Sequence, residues 1–299
     1  MATTILLDAG DTRLRIALDA GRAPRTTAAL LASLPAEIDL HCAKIAGNHI
    51  LWHAPFVVDA EATGDVMQVP PGGFLYWPER QFLELVFDAL QAESAQVTHL
   101  GGIEAGVDAL RALGCRVQER QGRDGLRARL SLAGAGADAG TATPSRPAPA
   151  PPALAGLVAA REAIWRAPPA EIAEMMARRG VMLPAGPLVY AEGYARALHE
   201  TLWRLRGEAA AGDHAFAARA GALALRLAVA RIGGFCHLLA SAATLEEAAA
   251  LLERQPALAP RVIDEAILFS GRLAAWLDGR IAWHDFTEAT RRAAAEWKG

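Results

Sequence analysis

Apolar and polar residues alternate with a period of two in the first part of the chain. In Thr12–Leu18, Leu14 and Ile16 alternate with Arg13 and Arg15, which predicts a strand with one buried face and one face in water. Glycine or proline separates most of the similar short runs that follow, and many short strands with one or two helices predict a small β-barrel. The predicted strands are Thr4–Leu7, Thr12–Leu18, His41–Ile45, Ile50–Trp52, Phe74–Trp77, Phe82–Phe87, Val97–Leu100, Cys115–Glu119 and Leu126–Leu132, and the predicted helix is Arg25–Leu34.

The sequence from 154 to 299 changes to a helical period. Leu223, Leu227 and Ala230 share one face of a helix predicted over Asp213–Ala240, because residues three or four apart are neighbours on a helix. The segment is also rich in Ala, Leu, Arg and Glu, which favour helices. A bundle of about five to seven helices is predicted for this part of the chain.

Two signals indicate helix boundaries within the bundle. Thr244 and Glu247 have the spacing of a capping box, in which the threonine caps the helix and the glutamate reaches back to it. Pro256 and Pro260 then break the helical pattern. The next helix is predicted over Arg261–Leu277.

A shift in composition separates the two parts. Ala133–Ala153 reads AGAGADAGTATPSRPAPAPPA, with several prolines and almost nothing to bury, so it is predicted to be a partly extended tether. The predicted class is therefore α+β with two domains. The predicted boundaries are 1–133 for a β-barrel domain, 134–153 for a flexible Pro/Ala-rich linker and 154–299 for a helical bundle domain.

Composition and charge exclude several classes of function. The chain has 299 residues, of which 53% are hydrophobic, and 30 Lys+Arg nearly balance 33 Asp+Glu. Because the basic residues are scattered along the sequence, no positively charged patch that could bind a polyanion is predicted, and no nucleic-acid partner is expected. No apolar run approaches the roughly 18 to 20 residues that span a bilayer, and no signal peptide is recognisable. The expectation is a cytoplasmic protein without a membrane partner.

The cysteines do not indicate a metal site or a disulfide framework. Cys42, Cys115 and Cys236 are odd in number, far apart and outside any C-x-x-C spacing. Such cysteines are expected to be reduced thiols rather than disulfides or a zinc cage.

Segments of the first part follow one another in a characteristic order: the hairpin Ile5–Leu18, then Ala23–Pro35, His41–Ile50, Pro71–Pro78 and His99–Ile103. In this order and spacing, residues 4–132 resemble the bacterial cyclophilin-like proteins, a mostly uncharacterised family of small β-barrels. The resemblance implies a cyclophilin-like barrel. It does not imply a peptidyl-prolyl isomerase, because the core motif of those enzymes is absent. Where this family has Gly-x-Glu, with an acidic residue near the cavity, this chain has Gly47-Asn48-His49.

A second resemblance lies in the opening hairpin. The segment Asp8–Arg15 is similar to the first phosphate motif of acetate-kinase-type and pantothenate-kinase-type ATPases, in which backbone amides and a carboxylate address ATP phosphates and magnesium. No second phosphate segment follows at a suitable distance. The interpretation we favour is an Asx-type β-turn between two strands.

Polar side chains near strand ends of the barrel are the candidates for chemistry. His41 and His49 have the same parity, so they can face the same side, and neutral imidazoles beside Lys44 could bind a carboxylate or shuttle a proton. Aromatic and charged groups beside the Pro-Gly-Gly turn could rim a barrel mouth. The predicted catalytic residues are His41, Lys44, His49 and Glu79, and the predicted substrate-binding residues are Arg25, Tyr76, Trp77 and Arg80.

The bundle offers weaker candidates. Facing helices can build His/carboxylate metal sites, but no His-x-x-x-His or Glu-x-x-His pair supports one, so no metal is predicted. Tryptophans near the C-terminus could form a docking patch or a homodimer seam. The residues considered for a metal are His199, Asp213, His214, His237 and His284, and the tryptophans are Trp276, Trp283 and Trp297.

These observations lead to two functional hypotheses. The first is a small-molecule-binding protein whose ligand is a carboxylate or amide metabolite, with acid/base hydrolysis or elimination as its chemistry and no organic cofactor. The second is a non-catalytic subunit or regulator that docks on a partner enzyme, or on a second copy, through its helices. Converging His, Lys and Glu side chains favour the first hypothesis, whereas an exposed apolar patch on the bundle favours the second.

Overall fold

A computed structural model describes residues 3–44, 47–90, 95–134, 151–178 and 186–297. The chain groups into two compact units, Met1–Ser145 with Gly279–Gly299, and Arg146–Asp278. Most of the predicted linker, 135–150, lies outside the described residues. The last segment differs from the prediction, because 279–299 groups with the barrel rather than with the helices before it.

The first unit is a closed antiparallel barrel. Its strands are β1 (Thr3–Ala9), β2 (Thr12–Leu18), β3 (Ala36–Cys42), β4 (Gly47–His53), β5 (Thr63–Asp65), β6 (Gly73–Trp77), β7 (Phe82–Leu90), β8 (Gln96–Ile103) and β9 (Leu126–Leu132). The sheet runs in the order β2-β1-β9-β3-β4-β7-β6-β8, and β8 pairs back with β2, so eight strands close the barrel. The short strand β5 adds to β8.

The inner face of the strands forms the main core. Alternate residues such as Ile5, Leu7 and Leu85 are fully buried there, and the rings of Trp52 and Phe74 stack at a centroid distance of 5.7 Å. Two helices pack against this core because their apolar faces supply further buried leucines. They are α1 (Pro24–Ala32) and α2 (Val107–Arg120).

The outer face of the barrel has two different halves. On β1, β2, β3 and β9 it carries exposed ion pairs, such as Arg127 with Asp39 at 3.2 Å and Arg13 with Asp8. This is the solvent-exposed face that the alternation in β2 predicts. On β4, β6, β7 and β8 the outer face is buried and forms a second apolar cluster, which contains Leu51, Leu75, Trp77, Phe82, Val86 and Val97.

The opening hairpin turns between Ala9 and Thr12, as the β-turn interpretation predicts. Asp8 pairs with Arg13, and Asp11 pairs with Arg116 of α2. Both carboxylates of the phosphate-like motif are therefore engaged by arginines of the chain itself.

The predicted strand Cys115–Glu119 is wrong. These residues lie within α2, where Leu110, Leu113 and Val117 recur at helical spacing and are buried in the barrel core. A helix satisfies the burial of these three residues better than a strand, because a period of two would place Leu110 and Leu113 on opposite faces.

The second unit consists of helices among the described residues. They are α3 (Ala155–Arg166), α4 (Ala170–Ala177), α5 (Gly186–Ala210), α6 (His214–Val229), α7 (Leu239–Arg254) and α8 (Ala259–Asp278), and α9 (Trp283–Glu296) follows in the first unit. None of the helices in the described ranges is both long and apolar enough to cross a bilayer.

The single helix predicted over Asp213–Ala240 is divided. α6 continues into a π-helical turn at Ala230–Phe235, and the chain then reverses at His237, whose φ of 61° is left-handed. Gly233 explains the break, because a side chain there would press against the Cβ of Ala242 at 2.6 Å. The glycines permit a close helix approach that an uninterrupted helix would not allow.

The predicted capping box is also wrong. Thr244 lies inside α7, and its hydroxyl donates to the carbonyl of Ala240 at 3.2 Å. Glu171 of α4 binds the start of α7 instead, where its carboxylate accepts from the amides of Ala240 at 2.7 Å and Ser241 at 2.9 Å. A carboxylate from another helix thus satisfies the free amides.

Candidate functional site

A row of residues crosses the outer face of five strands. His41 on β3 is opposite Leu51 on β4, which is opposite Glu84 on β7. Glu84 is in turn opposite Leu75 on β6, and Leu75 is opposite His99 on β8. Since neighbouring strands are about 4.8 Å apart, His41 and His99 each lie two strands, or about 10 Å at the backbone, from Glu84. Glu84 is therefore the centre of a row of ionisable side chains.

Glu84 forms a buried pair with His49. Nδ1 of His49 lies 3.1 Å from Oε2 of Glu84, and the two side chains are 2% and 0% exposed. His49 pairs directly with Val86, so it reaches Glu84 along a diagonal of the sheet. Among the described residues, neither oxygen of Glu84 has a hydrogen-bond partner.

Aromatic residues form the next row on the same face. His53 is opposite Phe82, and Phe82 is opposite Trp77. The rings of His53 and Phe82 meet edge to face at 4.9 Å, and the guanidinium of Arg80 lies 4.9 Å from the centre of the Trp77 ring. Buried aromatic rings therefore lie one residue pair away from the Glu84–His49 pair.

The tight turn between β6 and β7 fixes the position of this aromatic row. Gln81 adopts a left-handed φ of 51°, and its fully buried side-chain amide donates to the carbonyl of Phe56 at 2.9 Å. This hydrogen bond ties the turn to the loop after β4, so Trp77 and Phe82 stand side by side on adjacent strands.

The buried carboxylate is a costly feature. Taking an ionised carboxylate out of water costs several kcal/mol, which only good partners offset. An apolar residue of similar volume would pack into the surrounding cluster without this cost. Chemically, a carboxylate and an imidazole at 3.1 Å can hold a donor group of a ligand and pass a proton between them.

The structure places the predicted site residues in several different environments. His41 and His49 share one buried face, as their parity predicts. Trp77 lies on that face as well, whereas Tyr76 lies on the inner face beside Phe56, at a centroid distance of 5.4 Å. The catalytic roles of these residues stay a prediction.

Two of the predicted catalytic residues lie elsewhere. Glu79 is exposed in the turn after β6. Lys44 is exposed after β3, and its ammonium lies 4.9 Å from the centre of the Trp283 ring of α9. The expected convergence of Lys44 and Glu79 with the histidines is therefore not observed.

Arg25 has a local role at the start of α1. Glu61 accepts hydrogen bonds from the amide of Thr26 at 2.7 Å and from the amide and Nε of Arg25 at 3.1 Å. A carboxylate at this position satisfies the free amides of the first helical turn. Arg25 therefore helps Glu61 to cap a helix.

We expect Glu61 to make folding stability pH-dependent. Burial raises the pKa of its carboxyl, but the hydrogen bonds from Thr26 and Arg25 outweigh burial, so the pKa lies below the ordinary value of 4.5. This stabilisation is complete above 4.5 and is lost as the pH falls through the lowered pKa. Urea unfolding from pH 7 to about pH 3 should show a smaller loss of stability for Glu61→Gln than for wild type. An unchanged loss would contradict the role of Glu61, and Glu37→Gln, at an exposed ion pair, is the control.

Sequence reasoning missed Glu84. The residue interrupts the apolar run Phe82–Phe87 with a charge, and a carboxylate in the middle of a strand buried on both faces was the available signal. Its partner could not be identified, because the diagonal to His49 depends on the register between β4 and β7.

The candidates for a metal in the helices do not converge. His199 is buried, with Nδ1 3.2 Å from the carbonyl of Ile267, and Asp213 caps α6 by accepting from the amide of Phe216 at 2.9 Å. His284 belongs to the first unit. Within the described ranges, no three His, Cys, Asp or Glu side chains group as metal ligands.

Comparisons with known proteins show the fold. No family model matches the chain, and no curated protein matches it. Among solved structures it is similar to McbB in complex with tryptophan, with a TM-score of 0.77, 20% identity, and coverage of 95% of this chain and 99% of that one. The solution structure of the hypothetical protein AF2241 from Archaeoglobus fulgidus covers 44% of this chain and 95% of its own, at 19% identity and a TM-score of 0.33. The likeness to McbB shows a shared fold over nearly the whole chain, whereas the second likeness is too low to support one.

Proposed function

We propose that this protein binds a small molecule on the outer face of its barrel and that Glu84 and His49 recognise its polar group. The observation that carries the proposal is the fully buried Glu84 carboxylate, neither of whose oxygens has a hydrogen-bond partner among the described residues. Such costly buried ionisable groups are concentrated at functional sites. A ligand that donates an N–H would offset the cost.

The chemistry of the site refines the expected ligand class. An amide or ammonium group can donate to Glu84, whereas a carboxylate can approach only where the imidazole of His49 is protonated. The aromatic row with Trp77 and Phe82 suits a planar apolar body. McbB has been solved with tryptophan, which combines an ammonium and an indole N–H with a planar ring, so tryptophan is the first probe.

The pair also supports a catalytic role. Glu84 would accept a proton from the bound ligand and pass it to Nδ1 of His49, which leaves the negative charge on the ligand and an imidazolium beside the carboxylate. This is acid/base chemistry of the kind used in hydrolysis or elimination, and it needs no organic cofactor. We also propose that the barrel is cyclophilin-like and that the chain is divided into two domains.

We expect Glu84→Gln to weaken ligand binding by about 10- to 100-fold, because it replaces a charge-assisted hydrogen bond worth about 1.5–3 kcal/mol. The substitution preserves shape, so the variant should remain folded. Calorimetric titration with L-tryptophan, and then with aromatic amides and carboxylates, measures the effect. The control is Glu37→Gln, an exposed carboxylate on the wet half of the same barrel.

The proposal fails if wild type binds none of these probes, or if Glu84→Gln binds one as tightly as wild type does. In the second case the Glu84–His49 pair is purely structural, and its replacement should change the unfolding free energy without changing affinity.

A further inference from the structure

One face of α6 is apolar and exposed along its whole length. Leu223 and Leu227 are each 62% exposed, and Phe216 near the start of the helix is 44% exposed. Helical spacing places these residues in one stripe together with Ala220 and Ala230. Exposed apolar surface of this extent marks a protein–protein contact.

The π-helical turn extends this stripe by one further aromatic residue. Phe235, the last residue of the turn, is 61% exposed, and its ring packs against Tyr190 at a centroid distance of 4.7 Å. A π-turn inserts one residue relative to the α-helix, so the step of five from Ala230 to Phe235 covers the same angle as a step of four. We call the six residues Phe216, Ala220, Leu223, Leu227, Ala230 and Phe235 the α6 stripe.

The residue types and spacings of the α6 stripe are the same from either end. With the inserted residue discounted, its order is Phe-Ala-Leu-Leu-Ala-Phe and its steps are four, three, four, three and four. A two-fold axis between Leu223 and Leu227 would place Leu against Leu, Ala against Ala and Phe against Phe of an antiparallel copy. Isologous interfaces require this self-complementarity.

The exposed area is sufficient for such an interface. Besides the stripe, Leu239 at the start of α7 is 64% exposed, and these large apolar side chains together present on the order of 500 Å². A stable interface buries about 800 Å² per partner, of which about two thirds is apolar in homodimers. Arg226 on the flank of the stripe is paired with Glu246 and Glu253 of the same chain.

We propose that the α6 stripe is the interface of a two-fold homodimer in which the two α6 helices pack antiparallel. The alanines allow close approach of the helices, and the phenylalanines close the two ends. This contact concerns the helical unit and is independent of the ligand proposed for the barrel.

Sedimentation velocity over a concentration series tests the proposal. Wild type should sediment as a species of twice the 31.6 kDa chain mass, and Leu223→Lys with Leu227→Lys should sediment as a monomer with an unchanged circular dichroism spectrum. The matched control is Met176→Lys, because Met176 is another exposed apolar residue of the same unit, 49% exposed on α4, and this variant should remain dimeric.

A second variant covers the case in which the first one does not fold. Phe216→Lys with Phe235→Lys changes only the two ends of the α6 stripe, and it should also be monomeric. The proposal is overturned if wild type is a monomer throughout the series, or if a folded stripe variant keeps the wild-type dimer.

Discussion

The substitution Gly101→Ala should destabilise the barrel by at least about 3 kcal/mol. Gly101 on β8 pairs with Leu18 on β2, in the contact that closes the barrel. Its φ of +140° is strained for any residue with a side chain, and a Cβ there would overlap the backbone carbonyl oxygen of Ala17. Because the obstacle is backbone of the partner strand, the clash can be relieved only by separating β2 from β8.

Thermal and urea unfolding of the variant measure this effect. Gly10→Ala is the matched control, because Gly10 has a left-handed φ of +66° but nothing within 4 Å of an added Cβ. The control should lose only about 1 kcal/mol from backbone strain. Equal losses for the two variants would contradict the closure argument and leave backbone strain as the only cause.

The substitution Gly122→Ala should release the C-terminal segment from the barrel unit. Gly122 follows α2 with a φ of +77°, and a Cβ there would overlap the backbone of Ala282, just before α9. Arg123, the next residue, holds Asp285 of α9 through two contacts of 3.0 Å. Loss of these contacts should lower the free energy of local unfolding of α9 by about 2–4 kcal/mol.

Hydrogen exchange of residues 279–297 and the fluorescence of Trp283 report on this release. Gly125→Ala lies in the same turn, with a φ of +64° and open space around an added Cβ, so it should keep α9 protected. Protection of α9 that is unchanged in Gly122→Ala would show that the remaining contacts of the segment are sufficient to hold it.

Part of the candidate site is readable from sequence alone. The parity of His41 and His49 predicts a shared face, and the register of β3 with β4 confirms it. Glu84 is signalled by its charge within an apolar run, but its contact with His49 is not readable, because Val86 rather than Glu84 is the direct partner of His49. Lys44 was expected beside the histidines because of its closeness in sequence, and Glu79 because it lies at a strand end that could rim the barrel mouth. The structure leaves both exposed in the segments that follow β3 and β6.

Local pattern by itself determined most strands of the barrel, the opening hairpin, the helical second part and the solvent-exposed face of β2, because burial on one side of a strand or helix imposes its period on the sequence. It missed β5 and placed β3, which is Ala36–Cys42, too late at His41–Ile45. The helical state of Cys115–Glu119 was also readable, because Leu110, Leu113 and Val117 recur at helical spacing. Closure through β2 and β8 and the division of the helix at Gly233 were decided only by the tertiary structure. In each case the deciding contact joins residues distant in sequence or is a backbone approach, such as Gly101 on Ala17. Such contacts leave no periodic signal, and they are what brings Glu84 and His49 together.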